Sequence, residues 1–153
     1  REAAGWMGSG ILAGYLTAMS EENVEVVRRA YAALTRGDTD ALRDLTSPEL
    51  VVDFSRRLVD PFVLHGVDEA LAFFLSQSGE TWDEWPAWEP QELIDADDQV
   101  VAFIRTAARG KGSGVEVEAY VWNLWTFRAG KPVGFKYFGD DRAAALEAAG
   151  LRE

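Results

Sequence analysis

Cysteine is absent from the chain. Disulfides, thiolate nucleophiles and sulfur-ligated metals are therefore excluded. Histidine occurs once, at His65, which excludes a histidine-rich zinc site as well. An all-carboxylate Mg²⁺ or Ca²⁺ loop would need a run of the Asp-x-Asp-x-Asp-Gly kind, and the sequence has none. No metal and no cofactor is expected. Positive charge is scarce: 15 Lys and Arg stand against 26 Asp and Glu, for a formal charge of −11. Arg28-Arg29 and Arg56-Arg57 are isolated pairs and form no basic stripe. Such a surface repels phosphate backbones and anionic lipid, so neither nucleic acid nor a membrane is an expected partner. No apolar run approaches the ~20 residues that span a bilayer. The expected location is the cytoplasm.

What remains is an ordinary globular composition, 48% apolar and 27% charged over 153 residues. That length suits one domain with a core of its own. Residues 1–18 are rich in Gly and Ala, and Ile11 to Leu16 is too short and too broken by Gly14 for a signal core. They read as a poorly structured upstream segment ahead of a natural start at Met19, with an N-terminal arm packed on the domain as the alternative. The domain proper is then 19–153.

Ser20 has the character of an N-cap, with Glu21 and Glu22 in the first turn. Val24, Val27, Tyr31 and Leu34 recur on one helical face, and Gly37 ends the helix. A short helix over 39–45 follows, stopped by Ser47-Pro48. Leu50 to Ser55 reads as a strand, and 56–64 as irregular with a turn at Asp60-Pro61. A third helix runs from Gly66 to about Gln77. Four strands then follow, over 88–94, 100–107, 115–127 and 133–138. The third is long enough to expect a bulge in a curved sheet. Asp140 or Asp141 caps a last helix that ends at Gly150. Helices first and hairpins afterwards imply α+β architecture.

The run Val27-Arg28-Arg29-Ala30-Tyr31-Ala32-Ala33-Leu34-Thr35-Arg36-Gly37-Asp38 resembles the opening helix and turn of the nuclear transport factor 2-like superfamily. The chain is most similar to its SnoaL-like branch of small bacterial proteins. The likeness continues through Glu49 to Ser55, Leu64-His65-Gly66, Gly114 to Glu118 and Asp141 to Leu151. It implies a cone-shaped, curved antiparallel sheet with three N-terminal helices packed on its concave side and a short C-terminal helix. It also implies an apolar pocket inside the cone. It implies little about activity, because this fold hosts isomerases, cyclases, hydrolases, dehydratases and binding modules.

Several side chains are candidates for work in such a pocket. Along 115–127 the odd positions form one apolar face with a single polar interruption, Asn123. Its amide is either a satisfied core group or a ligand contact. In ketosteroid isomerase-like members the matching position carries a protonated aspartic acid that donates to an oxyanion. Asparagine can also donate, but it cannot exchange a proton. The other oxyanion donor of that constellation falls on Ala30 and its general base on Phe54, so steroid isomerase chemistry by that route is not expected. Tyr31 and Asp53 lie one residue from those positions, but a one-residue step in a strand points to the other face, so neither is expected to replace them. Nor is the Asp–Arg–Asp set of the limonene epoxide hydrolase-like branch complete, with Arg105 and Asp53 the nearest residues.

Asp53 is the candidate general base, since burial beside Val52 and Phe54 would raise its pKa. The alternative is a rim carboxylate paired with Arg56 or Arg57. His65, the only residue of its type, is a candidate proton carrier because histidine is the side chain whose unperturbed charge change falls nearest neutral pH, and it stands either at the pocket mouth or at the start of the third helix. Tyr31, Phe54, Trp88, Phe103 and Trp125 are the expected pocket wall. Trp82, Trp85 and Trp88 form either part of that wall or a loop packed elsewhere. On the even face, Tyr120, Trp122 and Leu124 form an apolar patch with no helix left to cover it, which suggests a homodimer contact. The expected function is therefore binding of a small apolar molecule, with cofactor-independent isomerase, cyclase or hydrolase activity. A non-catalytic binding module and a dimeric interaction domain are the alternatives.

Overall fold

The computed structural model of the protein describes residues 9–80 and 86–151, with side chains described over 20–76 and 86–151. Helix α1 spans Ser9–Arg36 and helix α2 Thr39–Leu45. Ser20 lies inside α1 and does not cap it. The residues before it include Leu, Ala and Met, good helix formers with no proline to interrupt them. The upstream segment is therefore helical from Ser9 onward. Helix α2 is capped by Asp38, whose Oδ1 accepts from the Ala41 N–H at 3.1 Å.

Strands β1 (Val51–Asp53) and β2 (Val63–His65) form a short antiparallel pair with Val52 opposite Leu64. The sequence pattern missed β2, because three residues carry too little alternation to read. Helix α3 covers Val67–Glu80. Strands β3 (Ala87–Ala96), β4 (Gln99–Arg109), β5 (Glu116–Arg128) and β6 (Lys131–Gly139) then meander, and helix α4 (Arg142–Ala148) closes the described chain. Asp141, not Asp140, caps α4, accepting from the Ala144 N–H at 3.0 Å.

The sheet order is β2-β1-β6-β5-β4-β3. All neighbours pair antiparallel except β1 and β6, which run parallel with Val52 opposite Phe135. The α+β cone with its curved sheet is as expected; this one pairing makes the sheet mixed. The bulges also fall elsewhere than the length of β5 suggests. The register shifts place the extra residues on its neighbour β6, at Val133 and Phe138, and on β3, at Gln91. Strand β5 keeps unbroken alternation, so its two faces stay distinct.

Those faces belong to two cores. On the inner face, Val27, Ala30, Tyr31 and Leu34 of α1, Leu42 of α2, and Val67 and Leu71 of α3 pack against Val100, Ala102, Ile104, Trp125 and Phe127. On the outer face, Ala145 and Leu146 of α4 pack on Val101, Trp122, Leu124 and Phe138. The expected dimer patch is thus mostly covered within the chain. Trp122 and Leu124 are buried under α4, and only Tyr120 stays exposed. The final helix, seven residues long, lays Ala145 and Leu146 over that part of the face. Among the described residues no helix is long and apolar enough to cross a membrane.

Leu146→Ala removes a side chain that is buried against both indole and leucine of this outer core. It is expected to lower the unfolding free energy by about 2–4 kcal/mol, read from the urea midpoint at unchanged slope.

Candidate functional site

The helices bridge the curved inner face without filling it, and leave a cavity of about 380 Å³. This lies at the small end of typical small-molecule sites, roughly 300–1,000 Å³. The wall is mainly apolar. Phe54 stands at the centre of an aromatic group, with ring centroids 5.0 Å from Phe62, 5.4 Å from Tyr137 and 5.8 Å from Phe135. Trp88 is held from α1: Thr35 Oγ1 accepts from its backbone N–H at 2.9 Å and donates to its carbonyl at 3.1 Å.

The polar feature of the interior is a three-residue cluster. Asn123 Nδ2 donates to the Tyr31 hydroxyl at 3.0 Å, and Trp125 Nε1 donates to the same oxygen at 2.8 Å. Asn123 is 2% exposed and Tyr31 1%. Both line the cavity with Trp125. The Tyr31 and Trp125 rings meet edge to face at 5.3 Å. Asn123 Oδ1 is buried and has no hydrogen-bond partner among the described residues. Burial pushes the Tyr31 hydroxyl well above its ordinary value, against a smaller downward pull from the Trp125 and Asn123 hydrogen bonds.

Tyr31 reaches Asn123 although the family resemblance puts the second donor on Ala30. Tyr31 sits on a helix, where one residue turns the side chain by about 100° and does not reverse it. It shares the buried face with Val27 and Leu34, so the cone axis is its natural direction.

The other candidates divide. Phe54, Trp88 and Trp125 line the cavity with Tyr31. Phe103 does not. It pairs with Trp122 across β4 and β5 and stacks on that indole at 4.5 Å, on the outer face. Both faces of β4 are apolar, and only its register with β5 tells them apart. Asp53 also points away from the cavity. Partial burial would raise its carboxyl, but hydrogen bonds from Ser55 and the charge of Lys136 at 3.9 Å outweigh that and lower it. The expected upward shift is thus reversed, since alternation sends Val52 and Phe54 inward and Asp53 out. The expected ion-pair partner is wrong too: Arg56 pairs with Asp141 at 3.0 Å. His65 is exposed at the end of β2 and lies outside the lining. Arg105 lies on the outer face between Glu89 and Glu118. Trp82 and Trp85 lie outside the described residues.

Sequence reasoning did not single out Phe62, Phe73, Phe135, Tyr137 or Arg57, all of which line the cavity. Alternation in β6 would have offered Phe135 and Tyr137 as one face. Nothing local marks Phe62 or Arg57, which sit in the irregular segment. Among the described residues no three His, Asp or Glu side chains converge as metal ligands.

A model of the SnoaL-like domain matches residues 27–134. No curated protein matches the chain in sequence. Solved structures share the fold. An NTF2-like protein from Burkholderia thailandensis is 24% identical, with a TM-score of 0.67 over 84% of this chain and 97% of that one. TerC, co-crystallised with polyporic acid, is 19% identical, with a TM-score of 0.66 over 84% and 98%. A protein of ketosteroid isomerase-like fold from Catenulispora acidiphila, in complex with trimethylamine, is 16% identical, with a TM-score of 0.65 over 83% and 93%.

The buried phenol sets an alkaline signature. Its folded pKa lies above the unfolded 10.0, so its share of stability is intact below pH 10.0. Above that pH the unfolded chain ionises first, and stability falls by about 1.4 kcal/mol per pH unit from this group. Ultraviolet titration should show a phenol, that of Tyr31, ionising only on unfolding. Tyr31→Phe should remove that late step and flatten the alkaline slope by the same amount.

Proposed function

The chain belongs to the SnoaL-like domain family, and from that premise we propose that it binds a small, largely apolar molecule whose one oxygen acceptor meets the Tyr31–Asn123 pair. The observation that carries this reading is the unmatched hydrogen-bond capacity of that pair inside an apolar cavity. With the amide as placed, the phenol oxygen already accepts twice, and its own hydrogen is free to donate. With the amide turned over, the phenol donates to the amide oxygen and both N–H hydrogens are free. Either way a donor is left over at a buried position, where an unmade hydrogen bond costs roughly 1–3 kcal/mol. A carbonyl or hydroxyl oxygen on the ligand accepts the leftover hydrogen in both arrangements, and a ligand hydroxyl also donates to Asn123 Oδ1 where the amide stands as placed. The complex of a fold relative, TerC, with polyporic acid supports small-molecule binding as a use of the fold.

Catalysis is the second reading, and one feature favours it. A phenol that accepts two N–H bonds is a better donor through its own hydrogen, and such a donor polarises a carbonyl. Isomerase, cyclase or hydrolase chemistry without a cofactor would use that polarisation. It would also need a base, and the described lining has no carboxylate or imidazole. Binding is therefore the primary reading.

4-Phenyl-2-butanone and butylbenzene test it, titrated against tryptophan fluorescence. Asn123→Leu should weaken the ketone by up to about tenfold and leave the hydrocarbon within twofold. Equal effects on both probes would remove the oxygen-binding role. Mass spectrometry of compounds released from freshly purified, denatured protein should return an oxygen-bearing apolar molecule.

A further inference from the structure

The cavity has a charged rim as well as a polar interior. Arg57 lines it and is exposed. Its position is set locally. The Arg57 N–H donates to the Phe54 carbonyl at 3.0 Å, closing a tight turn that begins at Phe54, directly after β1. The guanidinium then lies 5.2 Å over the Phe62 ring, itself part of the wall. The next residues, Leu58 and Val59, run out into solvent.

The neighbouring cations are all occupied. Arg56 pairs with Asp141 at 3.0 Å, and Lys136 faces Asp53 at 3.9 Å. Among the described residues Arg57 has no carboxylate partner, in a chain with eleven more acidic than basic groups (26 − 15). With carboxylates so abundant, a cation left without one at the mouth of an oily cavity stands out. Arginine stays charged at any physiological pH, and its planar fork matches a carboxylate.

The geometry points to Arg57 as a specificity determinant that selects an apolar monocarboxylate. The apolar body fills the aromatic cavity, and the carboxylate stays at the wet rim against the guanidinium. This rests on the binding reading above and sharpens it: with the interior donor also used, the occupant is an apolar oxo or hydroxy acid. One negative charge fits and more do not, since the overall charge of −11 opposes polyanions.

The experiment uses 4-phenylbutanoate and its methyl ester, titrated calorimetrically against the wild type and Arg57→Gln. The substitution should weaken the carboxylate about fivefold, the range of a partly exposed ion pair. It should leave the ester unchanged, which also reports that the variant cavity is intact. Added salt should erode the wild-type advantage for the carboxylate. If the ester binds but the carboxylate does not, or if both respond equally to the substitution, the role of Arg57 is wrong while the binding cavity stands. If neither probe binds the wild type, both the rim assignment and the binding reading fall.

Discussion

The Tyr31 hydroxyl accepts two hydrogen bonds from strand β5, one from Asn123 and one from Trp125, at a point where almost no surface is exposed. Each of these N–H groups would be costly to bury alone. Helix α1 therefore cannot slide along or rotate against β5 without orphaning both at once. The edge-to-face contact of the Tyr31 and Trp125 rings adds a shape constraint at the same place. One hydroxyl thus locks the longest described helix onto the longest strand, and the rest of the inner core packs around that lock.

The cavity follows from curvature. The extra residues on β3 and β6 bend the sheet on either side of β5 and leave β5 itself regular. Straight helices laid across a curved sheet touch it at some places and stand off at others. They touch at the Tyr31 cluster and at Trp88, where Thr35 clasps the backbone of β3. Where they stand off, the ring of Phe54, just after β1, and aromatic rings from β6 and α3 line the gap without closing it.

Charge is distributed by the same parity that shapes the wall. Along residues 52–54 the alternation that turns Val52 and Phe54 inward turns Asp53 outward, where Ser55 and Lys136 hold it ionised. Arg105 is tied to Glu89 and Glu118 on the far side of the sheet. The described interior is thus served by neutral hydrogen-bonding groups, with charge confined to the rim. Such a site recognises an oxygen by donation and excludes most ionic solutes by desolvation.

The helices, apart from where the first begins, and the four long strands were legible in the linear chain, because periodicity is a local property carried by neighbouring residues; of the caps, Asp141 was one of two residues offered and Ser20 proved internal to α1. Asn123 was legible as the lone polar residue on an apolar face, because alternation along one strand needs no partner. Tyr31 as its mate, Phe103 and Asp53 as outsiders, and α4 as the cover over Trp122 and Leu124 were not. Each depends on which strand face or helix turn meets another element, and two apolar faces look alike until a register joins them. Arg57 was offered at the rim only as a partner for Asp53; its place over Phe62 was hidden for a related reason, because a turn in an irregular segment sets it, where no period exists to be read. The chain alone determined what kinds of elements form; the tertiary structure decided which side chains share the cavity, because that sharing is a relation between residues far apart in sequence.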